Sequence, residues 1–330
     1  MMNQTSDRVR VSIVMSFYNE PLQWIRLAVE SVLNQTYRDF EFIIVCDNPK
    51  HEDGLAYISS LDDNRIKLII NTVNIGPTKS FNKAIASSAG EYIARMDADD
   101  IGLPERLEKQ VEYLDSHPQV SVCACNAHVI DKDGKITRRN RYSGKRDQAL
   151  NMISNSIAHP TVMFRKCLLE LRNPIYNEDY IYSQDYELWS FLILNGHKLH
   201  TLEEPLLLYR KSSGQISAAK KSAQSDLFKK AHENLVIGWL ASRGIIDGDK
   251  DLKTILKKSL QAYPATEGEE RRYLTYIVYV LYFSIGTLDW KYRLLFLADR
   301  HFIAFRINWI FTYRMLFSRQ ARRKIAGINI

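Results

Sequence analysis

Hydrophobic positions in the first hundred residues alternate between two periods. The run VSIVMSF (11–17) is short, apolar and β-rich. From Pro21 to about Gln35 the apolar residues Trp24, Ile25, Ala28, Val29, Val32 and Leu33 recur at helical spacing, with Pro21 suited to a first helical position. FEFIIVC (40–46) reads as a second buried strand, closed by Asp47-Asn48-Pro49. A helical stretch around Gly54 to Leu61, the run RIKLIIN (65–71), a helix from Gly76 to about Ala89 and the run EYIARM (91–96) follow in turn. The order β-α-β-α-β-α-β, with connections long enough for crossovers, predicts an α/β fold whose sheet is parallel and carries helices on both faces. Ligands of such sheets sit outside the carboxyl ends of the strands. That rule gathers Ser16 to Glu20, Asp47-Asn48, Asn71 to Gly76 and Asp97 to Asp100 in space.

Beyond residue 100 the pattern predicts a helix from Pro104 to about His117 and a strand over VSVCACNAHVI (120–130). DKDG (131–134) reads as a turn into a returning hairpin strand from Ile136. HPTVMF (159–164) reads as a strand and DYELWSFLILNG (185–196) as a helix closed by Gly196. KLHTL and PLLLYR read as two short strands, and from about Ser217 onward the pattern is helical throughout. Two domains are expected, residues 1–216 and 217–330, with no internal repeat and no low-complexity segment.

The 45% hydrophobic and 25% charged content is that of a soluble globular protein. The N-terminal stretch MMNQTSDRVRVSIVMSFYNE has only a six-residue apolar run, so no signal peptide is expected. No apolar stretch reaches the ~18 residues that span a bilayer; YLTYIVYVLYFSIGTL (273–288) comes nearest. Four cysteines, Cys46, Cys123, Cys125 and Cys167, form neither a disulfide framework nor a zinc pattern, and read as buried core thiols in a reducing compartment.

Candidate chemistry concentrates in RMDADD (95–100). Three aspartates in four positions repel one another, and burying an unpaired carboxylate is costly. Either the segment is a solvated turn with a capping aspartate before the next helix, or a hard dication such as Mg²⁺ or Mn²⁺ sits on it.

The segments SIVMSFYNE, VCDNP, NIGPTKSFNKAI and RMDADD, in this order on the expected strand ends, resemble the family 2 glycosyltransferases over residues 9 to about 215. The resemblance implies a GT-A fold, a Rossmann-like and mostly parallel sheet followed here by a C-terminal helical region. It implies an inverting, nucleotide-sugar-dependent transferase with Mn²⁺ or Mg²⁺ as cofactor, a donor such as a UDP-sugar, and a glycan or lipid-linked oligosaccharide acceptor of cell-surface polysaccharide assembly. The implied donor site contains Ser16, Tyr18, Asn19, Glu20, Asp47, Asn74, Gly76, Lys79, Asn82, Asp97, Ala98 and Arg210. In it Tyr18 stacks on the base, Asp47 accepts from its imide, Asp97 faces ribose or metal, Asp99 ligates the metal, and Arg210 contacts the diphosphate. YSQDYELW matches the family segment whose aspartate is the acceptor-side base, here Asp185, against the plain reading of a helix-start residue with a low pKa. His159 of His159-Pro160 reads as a shaper of the acceptor loop or a structural hydrogen-bonder.

Three positions depart from the family pattern: CDNP lacks a second aspartate, Phe81 stands where many members place a phosphate-binding arginine, and Ser212 stands where many place a metal-binding histidine. Lys79 is a cation two residues before Phe81. The Q-x-x-R-W signature of processive members is absent, so one sugar per encounter is expected.

Charge adds one more expectation. Residues 289–330 hold nine Lys/Arg against Asp289 and Asp299, which leaves 36 basic and 36 acidic residues of the chain's 45 and 38 for the rest. Basic residues interleaved with Trp290, Phe296, Phe302, Phe305, Trp309 and Phe317 suit the surface of an anionic membrane, or else a helical subdomain or dimer face. The expected localisation is cytoplasmic, with peripheral attachment to the inner face of the membrane and a homo-oligomer left open. A nucleic-acid partner is not expected. A Rossmann dehydrogenase is excluded, since no two of the fourteen glycines are spaced i, i+2. A nucleotidyltransferase would want a Gly-rich basic loop where SFYNEP stands, and a non-catalytic scaffold on a degenerate transferase fold is the non-enzyme alternative.

Overall fold

The computed structural model describes residues 9–139, 155–212, 221–249 and 251–285. The expected β-α-β-α-β-α-β order opens the chain: β1 (Val11–Phe17), α1 (Leu22–Leu33), β2 (Phe40–Cys46), α2 (Glu52–Ser59), β3 (Ile66–Ile70), α3 (Pro77–Ala86) and β4 (Tyr92–Asp97). They continue through the short β5 (Ile101–Gly102), α4 (Arg106–Ser116), β6 (Val120–Ile130) and β7 (Ile136–Arg138). Then come β8 (Met163–Arg165), α5 (Gln184–Leu194) and β9 (Lys198–Arg210). Strand order is β3-β2-β1-β4-β8-β6-β9-β5, with β7 paired to β6. Pairings among β1 to β4 are parallel, whereas β8 runs antiparallel between β4 and β6.

Burial on both faces explains the near-continuous apolar runs of β1 and β2. Val11, Ile13, Met15 and Phe17 of β1 join Phe40, Phe42, Ile44 and Cys46 of β2 in a core completed by Ile25, Ala28, Val29 and Val32 of α1 and by residues of α2 and α4. The i, i+3, i+4, i+7 spacing of that α1 set is the helical stripe such a core requires. Helix α3 packs on β1 and β2 through Phe81, Ala84 and Ile85, which lie outside that core cluster.

Three local expectations are corrected. HPTVMF is not one strand: His159–Thr161 form a 3₁₀ turn and only Met163–Arg165 pair, because Pro160 has no N–H to give a ladder. KLHTL and PLLLYR form the single strand β9, whose pairing with β6 shifts register around Asn126 and Pro205. Cys46, Cys123 and Cys125 are buried, but Cys167 is exposed on the 3₁₀ turn Lys166–Glu170.

Contacts divide the chain into two compact units, Met1–Gly238 and Trp239–Ile330. The helix α6 (Lys221–Ala241) is followed by α7 (Leu252–Ala262), the 3₁₀ turn Tyr263–Ala265 and α8 (Gly268–Ile285). In the second unit Trp239 stacks on Tyr273 with ring centroids 5.6 Å apart, and Ile255, Leu260, Tyr263, Leu274 and Ile277 are buried. Among the described residues no helix is long and apolar enough to cross a membrane. The basic residues 289–330 lie outside the described residues.

Candidate active site

The carboxyl ends of β1, β2 and β4 open into one cleft of about 1030 Å³. Ser16, Tyr18, Asn19, Glu20, Asp47, Asn74, Gly76, Asp97, Ala98 and Asp99 line it, so ten of the residues singled out in the sequence come together. Chain register accounts for this, since Ser16 of β1 pairs with Val45 of β2 and with Asp97 of β4.

Each wall has a local physical origin. Asp47, the first residue past β2, is 2% exposed yet well supplied with donors. Its Oδ1 accepts from Asn71 Nδ2 and from the Ile75 amide, both at 2.9 Å, and its Oδ2 accepts from the Gly76 amide at 2.9 Å. Charge-assisted bonds of this kind make burial of a carboxylate tolerable. Gly76 holds φ +85°, in the left-handed region, which turns its N–H toward both Asp47 and Asn74 Oδ1 before α3 begins. On the opposite lip, Glu20 Oε2 accepts from the Tyr18 amide at 2.7 Å, and burial pushes its carboxyl above the ordinary glutamate range. Asn19 accepts from Asn48 Nδ2 at 2.7 Å, and Tyr18 beside it on the cleft wall is 42% exposed.

The floor is acidic. One carboxylate oxygen each from Asp97, Asp99 and Asp100 lies within 4.8 Å of the others. Asp97 and Asp99 are half-buried, while Asp100 is buried and its Oδ1 accepts from the Arg210 amide at 2.7 Å. A set of hard carboxylate oxygens, two of them facing a cleft, fits Mg²⁺ or Mn²⁺ held partly by substrate.

Lys79, Asn82 and Arg210 are placed otherwise than expected. Lys79 is exposed, with its Nζ 3.9 Å from Glu178. Asn82 is buried and bonds the backbone of Tyr176 in both directions, donating through Nδ2 at 2.9 Å and accepting through Oδ1 at 3.1 Å. Arg210 is 1% exposed. Its Nε donates to the Asp99 carbonyl at 2.7 Å, and its Nη1 to the carbonyls of Asp131 and Lys132 at 3.0 and 3.1 Å. It therefore brackets the aspartate turn to the 131–134 turn, and the wall near it is formed by Tyr209, Lys211 and Ser212.

Asp185, in the first turn of α5, is not on the cleft wall, although Tyr182 is. Asn155 Nδ2 donates to its Oδ2 at 2.6 Å, and burial pushes its carboxyl above the ordinary aspartate range, against the helix-start expectation of a low pKa.

Trp24, Phe81 and Arg95, none of them expected as a site residue from the sequence, are also on the wall. Trp24 shares the helical spacing of α1, and its Nε1 donates to the Lys132 carbonyl at 3.2 Å. Arg95 carried a legible signal, because two residues before Asp97 on one strand is the same face. Its Nε donates to Asp97 Oδ1 at 2.9 Å, its guanidinium carbon lies 3.5 Å from the Phe81 ring centroid, and its Nη1 lies 3.2 Å from His159 Nε2. A guanidinium can only donate, so Nε2 is the unprotonated nitrogen. Burial first, then Arg95, holds the His159 pKa well below its usual value, so the ring is neutral and structural. Tyr176, whose hydroxyl is 2.8 Å from the same nitrogen, is pushed up to about 12 by burial.

A sequence profile described as Glycosyl transferase family 2 matches residues 12–171. An uncharacterised glycosyltransferase of Methanocaldococcus jannaschii is 38% identical over 209 residues, covering 62% of this chain and 71% of that protein. The UDP-Glc:alpha-D-GlcNAc-diphosphoundecaprenol beta-1,3-glucosyltransferase WfaP of Escherichia coli is 29% identical over 245 residues, covering 72% of this chain and 94% of that enzyme. Among solved structures, residues 1–349 of S. aureus TarS in complex with UDP-GlcNAc share the fold, with a TM-score of 0.56 at 16% identity over 82% of this chain and 80% of that one.

Proposed function

The chain belongs to glycosyl transferase family 2, and from that premise we propose that it moves a sugar from a UDP-sugar, with inversion, onto a hydroxyl of a lipid-linked glycan acceptor in surface-polysaccharide assembly. The observation that carries this reading is the acidic floor: three carboxylates within 4.8 Å at the end of β4, in the cleft that Tyr18 and Asp47 also line. The lipid-linked acceptor is supported by the diphosphoundecaprenol substrate in the name of the E. coli relative, and the uridine nucleotide by that name and by the ligand of TarS.

Tyr18 offers an exposed ring for stacking on a flat base, and Asp47, fixed by its donors, presents a carboxylate edge for the base's N–H. Asp97 and Asp99 would hold a Mn²⁺ or Mg²⁺ ion, which supplies positive charge for the departing diphosphate. Asp185 is the base that takes the acceptor hydroxyl's proton. Its raised pKa makes it a better proton acceptor than a helix-start aspartate, and Asn155 fixes one of its oxygens. It lies in electrostatic range of Arg95, which does face the cleft.

Calorimetry with UDP in the presence and absence of Mn²⁺ tests the reading. The wild type is expected to bind UDP with a strong dependence on the metal. In Asp99→Ala, turnover and that dependence should both be lost. Manganese-dependent UDP binding that survives in Asp99→Ala would overturn the ligand assignment, and a wild type without UDP binding would favour a scaffold on this fold.

A further inference from the structure

Among the described residues three cations border the cleft, Arg95, Lys132 and Lys211, and of these only Arg95 is buried, at 5% exposure. Its mount is stiff. The guanidinium carbon lies over the Phe81 ring, 3.5 Å from its centroid, and Nη1 is backed by His159 Nε2 at 3.2 Å, so the group is held more firmly than a surface lysine. The carboxylate that balances it is Asp97, at 2.9 Å. Yet Asp97 is also one of the three carboxylates whose oxygens converge on the cation-sized gap. Asp97 therefore faces two claims for its single charge, and it cannot meet both in full by itself. A dication entering beside Asp97 meets a fixed positive neighbour two residues away on the same strand face, and charges that close in a protein-like dielectric shift affinities strongly.

We propose that Arg95 is a positioning residue that couples the two ligands of the site: it holds Asp97 in the place of a divalent cation and opposes that cation's entry until a nucleoside diphosphate brings compensating negative charge. Once phosphate is present, Asp97 can turn its charge to the metal while the guanidinium faces the phosphate oxygens. Linkage makes the effect reciprocal, so the nucleotide tightens the metal by the same factor as the metal tightens the nucleotide. The position also answers where the cleft keeps positive charge, given Phe81 in the helix above and Lys79 turned to Glu178. The inference rests on the metal-dependent donor site proposed above.

The test is a pair of calorimetric titrations with Mn²⁺, alone and with saturating UDP, on the full chain. The ratio of the two dissociation constants is the coupling factor. Arg95→Met is expected to bind Mn²⁺ alone about fivefold or more tighter than wild type, while the ratio shrinks toward one. Arg95→Lys, which keeps the charge, should hold the ratio within about threefold of wild type. If Arg95→Met does not fold by circular dichroism, Arg95→Gln, which keeps an N–H donor for Asp97, reads the same ratio. A folded neutral variant with an unchanged ratio, or with weaker binding of Mn²⁺ alone, overturns the coupling role while leaving the donor site standing. A wild type that binds UDP equally with and without Mn²⁺ overturns both.

Discussion

At the scale of single residues, Asp185 separates a functional reading from a structural one. A carboxylate in the first turn of a helix is favoured in its charged form by the helix dipole, but burial outweighs that field and the hydrogen bonds from the Tyr186 amide and Asn155, and raises its pKa. The sign follows directly. Folding favours the protonated form, so the ionised carboxylate at neutral pH costs stability, and the group stops accepting protons at a higher pH than an exposed aspartate. The rate of transfer is therefore expected to fall on the acid side at a pH above the ordinary aspartate value of 3.8, as read from a pH–rate profile. Asp185→Asn should lower turnover by roughly 10²–10⁴, the range for a general base. Its UDP affinity should stay within about twofold, since the donor wall is untouched, and its Tm at pH 7 should hold or rise. A helix-capping role would give the opposite, a variant that transfers normally and melts earlier by the ~1 kcal/mol of a lost cap.

At the scale of elements, what could be read from the sequence depended on whether a segment's fate was decided locally. Strands β1, β2 and β4 are buried on both sides, so their apolar runs and the polar residues ending them were legible, and ten of the expected site residues do meet in the cleft. The bridging of KLHTL and PLLLYR into one strand was not legible. Glu203, Glu204 and Pro205 break the apolar pattern, and only pairing with β6, far away in sequence, carries the strand across them. Arg210 and Asn82 were misplaced for a related reason. Sequence order put them beside motifs, but backbone carbonyls and amides of distant turns took their hydrogen bonds. The start of β4 shows how closely the elements are fitted. A Cβ on Gly90 would lie 2.5 Å from the Ser12 amide nitrogen of β1, a backbone atom that cannot step aside alone. Gly90→Ala is expected to cost about 1–3 kcal/mol, the usual penalty for overpacking. That corresponds to a Tm lower by roughly 2–10 °C for a unit of this size, measurable by calorimetry. Because Gly90 lies at the end of β4 opposite the aspartates, UDP affinity of the folded fraction should not change.

At the scale of the whole molecule, the excess charge is segregated from the chemistry. Residues 289–330 carry nine basic side chains against two aspartates, and the remaining residues carry equal numbers of each sign. Residues 1–288, which include the catalytic unit with its acidic cleft floor, are thus neutral overall and gain no attraction to an anionic surface from net charge. Any such attraction has to come from the C-terminal stretch, whatever conformation it adopts. Each basic residue near an anionic bilayer contributes about 1 kcal/mol, so even half of the nine acting together would hold the chain there reversibly. A transferase with a lipid-linked acceptor gains from this, because the encounter is confined to the surface where the acceptor lies. Deletion of residues 289–330 is expected to abolish co-sedimentation with vesicles containing anionic lipid. Binding by the intact chain should weaken steeply as salt rises from 0.01 to 0.15 M, where the screening length shortens from about 30 to about 8 Å. A truncated chain that still pellets with the vesicles, or an intact one indifferent to salt, would place the attachment elsewhere and leave the basic stretch to a second copy of the chain.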